Sequence, residues 1–472
     1  MGKKIILVFV HGYGVTDISS YGKLPEALQS VAQQTAPDII LDIQHIYLGR
    51  YITFHDEVTM DDIARAFDKA RLDAIGEQPF SCITHSTGGP AIRSWVELFY
   101  GVKNLGKIPL KHLIMLAPAN HGSALAQLGK GRLSRIKTWF QGIDPGQKVL
   151  DWLELNSRGQ WSLNESWLSY KPDENNFFPF VITGQHIDKK LYDHLNSYTG
   201  EKGSDGVIRV CGANMNYRFV RLRQSDTPIE GQPGVGTLEI VEETTKSSPS
   251  TPIAIIPDAS HTGEKFGIMF SVTVDNASKK PVVATILECL KIENATQYKN
   301  IYDKQKNTSN EMQDNNEDTT ERFSMIFFRL HDDRGNTIND YDILLLGSKN
   351  YDPDELPEGF FVDRQKNRVA TNHLTYYVNH TKMLQVADGV IGFRIIARPS
   401  EGFSYYKPAE FRSNHIPLEE LLIPNQTLYV DVELKRYVDQ NVFRLLRRDD
   451  FKPKGKEDMN FSRIPVSNVN VP

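Results

Sequence analysis

The chain has 472 residues and a formal net charge of −5, and no basic cluster dominates it. One hydrophobic core rarely organises so long a chain, so two domains are expected. The near balance of charge argues against nucleic acid as the main partner. No apolar run reaches the roughly 18 residues that a transmembrane helix needs.

The three cysteines, Cys82, Cys211 and Cys289, lack the spacing of a zinc site. Cys82 and Cys289 lie in apolar segments. Small buried thiols are therefore expected rather than disulfides, and no metal site is predicted.

The first predicted element is a buried strand. Lys4 to Val10 is a β-branched apolar run, typical of a strand covered on both faces of a parallel sheet. Its end at His11-Gly12-Tyr13-Gly14 has glycines that allow close backbone approach to a substrate carbonyl. We assign the first oxyanion donor to the Tyr13 backbone N–H, although a simple turn would explain the glycines equally well. A short signal peptide over the same residues is the alternative for the apolar run.

The second predicted strand leads into a nucleophile elbow. Phe80 to Ile83 is short and apolar, and Thr84-His85-Ser86-Thr87-Gly88 follows it directly. Gly88-Gly89-Pro90 then opens a segment with helical apolar spacing. A serine on such a strand-to-helix turn exposes its hydroxyl and aims the next backbone N–H at the developing oxyanion. We therefore predict Ser86 as nucleophile and the Thr87 N–H as second oxyanion donor. A serine in a tight turn without chemistry is the alternative.

A long insertion follows the next strand, Leu113 to Ala117. Four of the five tryptophans lie in it. Leu133, Ile136 and Phe140 share one helical face, with Trp139 beside them and lysines and arginines interspersed. This pattern is typical of a lid over an acyl pocket that faces anionic lipid headgroups. A cap helix packed on the core is the alternative.

A carboxylate and a histidine follow in the order that a Ser-Asp-His triad on this scaffold requires. Asp205 lies in a polar loop between the predicted strands Phe178–Thr183 and Val207–Val210. Its rival, Asp188, lies in a charged run that looks solvated. His261 lies in a small-residue loop after the apolar run Thr251 to Ile256.

Two other histidines, His121 and His85, are alternatives to His261 as the base. His121 also follows a strand, but it precedes any suitable acid, so a structural role beside the site is expected. His85 is expected to pack or hydrogen-bond locally. We predict that His261 takes the Ser86 proton, that Asp205 orients the imidazole, and that an acyl-enzyme forms and is hydrolysed.

The alternation of strands and helices predicts an α/β domain with a mainly parallel sheet over residues 1–295, with the lid-like insertion around 122–170. Residues 296–322 are rich in polar side chains and are predicted as a linker or exposed excursion, with a surface helix over part of them as the alternative. Residues 323–472 are predicted as a β-rich, sandwich-like domain that includes a hairpin of Met325–Leu330 and Tyr341–Leu346.

Taken together, these motifs resemble an α/β-hydrolase lipase. The match includes His11-Gly12, the elbow, Ala117 to Ser123, Ser204-Asp205-Gly206 and Ser260 to Gly263. Threonine at the first elbow position is similar to the PlaB-type bacterial phospholipases A/lysophospholipases A, and the resemblance extends over nearly the whole chain. It implies the triad Ser86, Asp205 and His261 and activity on phospholipids and lysophospholipids.

The resemblance also implies properties that the residues alone do not indicate. They are association with membranes, including an outer membrane or cell surface, without a conventional signal peptide; haemolytic potential and a part in virulence; a homotetramer; and regulation by NAD(H). No G-x-G-x-x-G follows a strand, so the sequence adds nothing to the last of these.

Two other functions remain open at this point. A carboxylesterase or thioesterase acting on soluble acyl esters would use the same triad. A membrane-binding assembly protein with a vestigial hydrolase site would instead bind through its C-terminal domain, for example through Phe403, Tyr405 and Tyr406 near Lys407.

Overall fold

The computed structural model describes residues 3–11, 21–53, 55–128, 146–171, 176–187, 201–399, 404–414, 416 and 418–438. In chain order, its strands are β1 (Lys3–His11), β2 (Ile39–Tyr47), β3 (Phe80–His85), β4 (Leu110–Leu116), β5 (Phe178–Gly184), β6 (Tyr217–Ile229), β7 (Gln232–Ile240), β8 (Lys246–Ser247), β9 (Ile253–Ile256), β10 (Phe323–Asp332), β11 (Asp340–Gly347), β12 (Phe361–Lys366), β13 (His373–Asn379), β14 (Ile391–Arg398), β15 (Ser404–Tyr406), β16 (Ala409–Arg412), β17 (Thr427–Leu434) and β18 (Arg436–Val438). The α-helices are α1 (Leu24–Thr35), α2 (Met60–Ile75), α3 (Gly88–Phe99), α4 (Gln147–Leu153), α5 (Arg158–Trp167), α6 (Val210–Ala213), α7 (Pro281–Leu290), α8 (Ala295–Asp314), α9 (His380–Met383) and α10 (Leu418–Leu421).

Six strands form an entirely parallel sheet in the order β2-β1-β3-β4-β5-β9. Its central strands are apolar and buried because helices cover both faces. On one face α2 and α3 pack in a core around Phe67 and Trp95. On the other face α1 and α7 pack against the opposite side chains of the same strands. The carboxyl ends of the strands therefore meet at one edge, where loops can carry chemistry.

A polar helix occupies much of the segment predicted as a linker. Helix α8 begins after Asn294, whose side chain accepts a hydrogen bond from the Gln297 backbone N–H. Tyr298, Ile301 and Ser309 recur on one face and are buried against the first sheet. The surface helix predicted as the alternative for this segment is thus present, because a narrow apolar stripe suffices to pack an otherwise polar helix.

The remaining large sheet is mixed and has ten strands, in the order β11-β14-β16-β7-β6-β17-β10-β13-β12 with β8 paired to β6. It curls so that distant strands face each other. The rings of Phe328 on β10 and Phe393 on β14 lie 4.9 Å apart, and the Tyr376 hydroxyl on β13 donates to the Ile343 carbonyl on β11 at 2.6 Å. The fold prediction of a parallel α/β domain followed by a β-rich domain is confirmed, and the β-rich domain encloses its core with one curled sheet.

Strand pairing corrects two local predictions. β10 and β11 are not a hairpin, because β10 pairs with β13 and β17 while β11 pairs with β14. Residues 207–209 are not a strand: the backbone N–H groups of Val207 and Ile208 donate to the Asp205 carboxylate, and Val210 begins α6. In the first case distant strands take the backbone groups that the local pattern assigned to a neighbouring strand, and in the second case the nearby Asp205 carboxylate takes them.

The two sheets meet in a buried aromatic cluster. It contains Trp161 from α5, Tyr217 and Phe219 from β6, and Tyr429 from β17. Strands β6, β7 and β8 come from the chain between Asp205 and His261, so this segment contributes three strands to the second sheet. The three cysteines are free and buried. In the part of the chain that the structure describes, no helix is long and apolar enough to cross a membrane.

Candidate active site

Ser86 lies on a strained turn between β3 and α3. Its φ of 53° is in the left-handed region, which a side chain adopts at a cost of order 1–3 kcal/mol. The turn is held on both sides: the Ser86 N–H donates to the Leu116 carbonyl at 3.0 Å, and the Ala119 N–H donates to the Ser86 carbonyl at 3.2 Å. The hydroxyl is thereby presented at the carboxyl edge of the sheet, as in a nucleophile elbow.

The glycines after Ser86 make room for the threonine before it. A Cβ at position 88 would come within 3.1 Å of the Thr84 Cβ, and a Cβ at position 89 would come within 2.7 Å of the Pro118 Cβ. Thr84 itself is fully buried. Threonine can replace the usual first glycine because Gly88 leaves space on the opposite side of the turn.

His261 lies in the loop after β9 and connects Ser86 to Asp205. Its Nε2 is 3.2 Å from the Ser86 Oγ, and its Nδ1 is 2.9 Å from the Asp205 Oδ2. The side chains of His261 and Asp205 are both fully buried. The three residues selected from the sequence thus form one continuous hydrogen-bonded chain with the spacing that proton transfer requires.

The Asp205 carboxylate has its second oxygen fully engaged. The Oδ1 atom accepts from the backbone N–H groups of Val207 at 3.0 Å and Ile208 at 2.7 Å. The Asp205 carbonyl also accepts from the His261 N–H at 3.0 Å. These bonds leave the Oδ2 atom directed at the imidazole, so the carboxylate is oriented before any substrate binds.

His121 lies away from this chain of residues. Its Nδ1 is 2.7 Å from the Tyr429 hydroxyl and its Nε2 is 2.8 Å from the Asn214 carbonyl. Burial, helped by the positive charge of Arg93, lowers the pKa of His121 to about 3, so the ring is neutral. This agrees with the structural role expected for it.

His85 packs against the imidazole of His261. The two ring centroids are 4.6 Å apart. Burial and the neighbouring His261 ring lower the pKa of His85 well below its usual value. Its Nε2 is buried and has no hydrogen-bond partner among the described residues. A neutral ring at this position limits the space in which His261 can rotate.

The predicted oxyanion donors are only partly within the described residues. Thr87 precedes α3, and its backbone N–H has no hydrogen-bond acceptor in the part of the chain that the structure describes. A free N–H next to the nucleophile fits an oxyanion donor. Tyr13, the rival acid Asp188, and the lid residues Leu133, Ile136, Trp139 and Phe140 lie outside the described residues.

A buried polar network supports the site and was not anticipated from the sequence. Arg93 on α3 is fully buried and donates to Asn120 at 3.2 Å and Asn164 at 2.9 Å, with its guanidinium 4.7 Å from the Trp167 ring. Asn164 donates to the Tyr429 hydroxyl at 2.8 Å. Helical spacing marks Arg93 only as a residue on α3, and no local pattern points to hydrogen-bond partners 27 and 71 positions away.

Among the described residues, no group of histidine, cysteine, aspartate or glutamate side chains could hold a metal ion. A dinucleotide fingerprint is also absent from the described strand-to-helix turns: the turn after β3 carries Ser86 in place of a glycine-rich phosphate loop. The described groups at this edge that can do chemistry include the Ser86 hydroxyl, the His261 imidazole and the Asp205 carboxylate.

Two solved structures match nearly the whole chain. Phospholipase PlaB from Legionella pneumophila is 42% identical with a TM-score of 0.84, and the match covers 96% of this chain and 98% of that one. The structure of Legionella pneumophila PlaB in complex with thio-NAD is 41% identical with a TM-score of 0.83, again over 96% of this chain and 98% of that one. No protein-family model matches the sequence, and no match is found among curated proteins.

Proposed function

The chain belongs to the PlaB family of phospholipases and is a serine ester hydrolase, and on that premise we propose that it is a phospholipase A/lysophospholipase A. In this proposal it releases fatty acids from glycerophospholipids and lysophospholipids. The observation that supports the assignment best is the hydrogen-bonded chain from Ser86 through His261 to Asp205. The near-complete match to a phospholipase makes a lipid ester the first substrate class to test.

In the proposed mechanism the Ser86 Oγ attacks the ester carbonyl while the His261 Nε2 takes its proton. Asp205 holds the Nδ1–H tautomer and stabilises the imidazolium. The oxyanion is held by the Thr87 N–H together with the Tyr13 N–H, each donor contributing about 2.7–4 kcal/mol to transition-state stabilisation. His261 then protonates the leaving alkoxide, and a water activated by the same histidine hydrolyses the acyl-enzyme.

The deciding experiment is product analysis by mass spectrometry. Purified wild type and Ser86→Ala are incubated with vesicles of phosphatidylcholine, phosphatidylglycerol and lysophospholipid. Free fatty acid from wild type that disappears in Ser86→Ala supports the proposal and ranks the substrates. Ser86-dependent cleavage of a short soluble ester without release from vesicles would favour an esterase or thioesterase. Inactivity on both would favour the membrane-binding protein with a vestigial site.

The lid is a separate part of the proposal. If Leu133, Ile136 and Phe140 form an apolar face over the acyl pocket, replacing them with serine lowers hydrolysis of vesicles far more than hydrolysis of a short soluble ester. The soluble ester is the internal control for an intact triad. An equal loss on both substrates would contradict the lid.

We further propose the properties that family membership makes reasonable: action at a bacterial membrane surface, a homotetramer, and binding of NAD(H). The proposed mechanism assigns no step to the nucleotide, and NAD(H) enters this proposal through family membership alone. Sedimentation analysis with and without NAD(H) tests both the oligomer and the binding. A monomer unaffected by nucleotide would remove both from the proposal.

The domain division also stays a proposal. We place the catalytic domain at residues 1–295 and the β-rich domain at 323–472, with β6, β7 and β8 of the first segment belonging to the second sheet. Because of that exchange, we expect the two parts to unfold in one transition in calorimetry. Two separate transitions would show that they are energetically independent.

A further inference from the structure

The loop that presents Asp205 is closed at its base by Arg209. Ser204 and Arg209 form an isolated bridge, and the Val210 N–H donates to the Gly203 carbonyl at 2.9 Å. Asp205 lies at the tip between them, with its N–H bonded to the Ile208 carbonyl at 3.1 Å. The position of Arg209 therefore sets where the Asp205 carboxylate points.

The Arg209 side chain is buried and is held by carboxylates from both domains. Its Nε and one Nη each donate to the Glu201 carboxylate at 2.8 Å, in bidentate geometry. The same Nη donates to the Asp363 Oδ2 on β12 at 2.6 Å. Burial opposes the charge on Arg209, but Glu201 and Asp363 more than offset it and raise the pKa of the guanidinium. The cation is therefore permanently charged.

The second sheet supplies a further support through Tyr377 on β13. The guanidinium carbon of Arg209 lies 4.1 Å from the centre of the Tyr377 ring, a cation–π geometry. The Tyr377 hydroxyl donates to the Lys202 carbonyl at 2.7 Å, on the other arm of the same loop. Gly203, with φ of 78°, passes so close to Tyr377 and Phe323 that a Cβ there would collide with both. One tyrosine thus contacts both arms of the loop.

We infer that Arg209 is a positioning residue for the triad carboxylate, and that Asp363 and Tyr377 of the β-rich domain complete the active site by holding it. The inference rests on the proposed function, since it assigns Asp205 the role of orienting His261. The β-rich domain then contributes to catalysis without touching substrate. Loosening the loop moves the carboxylate away from the imidazole and lowers kcat, whereas substrate binding is unaffected.

Four variants test this, with a matched control. Arg209→Met removes the charge and keeps much of the volume, while Arg209→Lys keeps the charge but cannot hold a carboxylate bidentately. Asp363→Asn and Tyr377→Phe are the mild variants, and they keep the test informative if Arg209→Met fails to fold. The control is Arg394→Met, because Arg394 is paired to the fully buried Glu410 at 2.7 Å between β14 and β16 of the β-rich domain.

Each variant is measured on a short soluble ester after its active sites have been counted with a serine-reactive phosphonate. We expect kcat per active site to fall about 100-fold in Arg209→Met, below the roughly 10⁴-fold loss that follows removal of a triad acid. We expect a loss of roughly 3- to 10-fold in Asp363→Asn and Tyr377→Phe and an intermediate value in Arg209→Lys, with KM unchanged throughout.

A purely structural role would give a different result. Fewer active sites, but wild-type kcat per site and wild-type KM, as expected for Arg394→Met, would overturn the inference. Failure of the proposed function is distinguishable, because it would appear in the wild-type protein as ester hydrolysis that survives Ser86→Ala. The four variants are interpreted only against a Ser86-dependent wild-type rate, so the two failures cannot be confused.

Discussion

The two halves of the candidate site are held in different ways. Ser86 and His261 follow β3 and β9 of one parallel sheet, so the geometry of that sheet brings them to the same edge. Asp205 lies on a loop whose base is fastened to the other sheet through Arg209 and Tyr377. A nucleophile and a base can therefore be placed by the fold of one domain, while the carboxylate depends on contact between two domains.

The largest effect is expected from the carboxylate itself. Asp205→Asn keeps the shape of the side chain but favours the wrong imidazole tautomer, and kcat should fall about 10⁴-fold. Esterase kinetics on a soluble substrate measure this. Asp188→Asn, the rival carboxylate from the sequence, is the control and should retain the wild-type rate. A large loss in Asp188→Asn would mean that the acid has been assigned to the wrong residue.

The second-largest effect is expected from a substitution in the nucleophile elbow, which lies within the first domain. In Gly89→Ala the new Cβ meets the Pro118 Cβ at 2.7 Å, next to the Ala119 N–H that binds the Ser86 carbonyl. Overpacking of this kind costs roughly 1–3 kcal/mol in stability, and displacement of Ser86 should lower kcat about 100-fold. Urea unfolding and kinetics test it. Gly234→Ala is the matched control, because the new Cβ has no heavy atom of the described residues within 4 Å. Unaltered kinetics in Gly89→Ala would show that the elbow tolerates movement.

Acid should destabilise both domains, because each contains or contacts a histidine that is buried in its neutral form. The pKa of His121 is lowered to about 3 and that of His112, between Ser81 and the Ile292 carbonyl, to about 4, in both cases chiefly by burial. In the unfolded chain each imidazole has a pKa near 6.5. The free energy of unfolding is therefore highest above that pH, and it decreases as the pH falls toward the lower pKa values of the folded protein. At about pH 5 each of the two histidines should lower the free energy of unfolding by about 2 kcal/mol.

Urea unfolding at about pH 7.5 and about pH 5 measures this loss. His121→Gln tests the contact with the second sheet, and His112→Gln tests the first domain alone. In each variant the free energy of unfolding should differ less between the two pH values than it does in wild type. A pH dependence as steep as that of wild type in either variant would mean that the replaced histidine does not titrate as the structure indicates.

The smallest effect is expected where the loop of Asp205 touches the second sheet. Gly203→Ala forces a Cβ onto Tyr377 and onto Phe323, and we expect kcat to fall about 10-fold as the loop shifts. Gly231→Ala is the control, since Gly231 has a similar φ of 75° but a Cβ there would have no atom of the described residues within 4 Å. Both variants should lose roughly 1–2 kcal/mol of stability from the strained backbone, and Gly203→Ala alone should lose activity. Equal kcat values in the two variants would show that the position of this loop does not affect catalysis.

The sequence by itself determined the parallel sheet and the order of the candidate triad. Strands covered on both faces are continuous apolar runs, and the glycines and proline after Ser86 can be recognised without knowing any partner. His261 and Asp205 were selected because chain order is itself a constraint on this scaffold. These signals are local or depend only on the order of residues along the chain, so the sequence alone contains them.

The tertiary structure alone decided which strands pair and what holds Asp205. An alternating strand indicates which face it buries but not its neighbour, so the sequence predicted a hairpin of β10 and β11 where the structure pairs them with other strands. Likewise, the ion pair of Arg209 with Asp363 spans 154 positions and leaves no local pattern. Contacts between residues far apart in the chain are set by how the two sheets pack, and that packing exists only in the folded molecule.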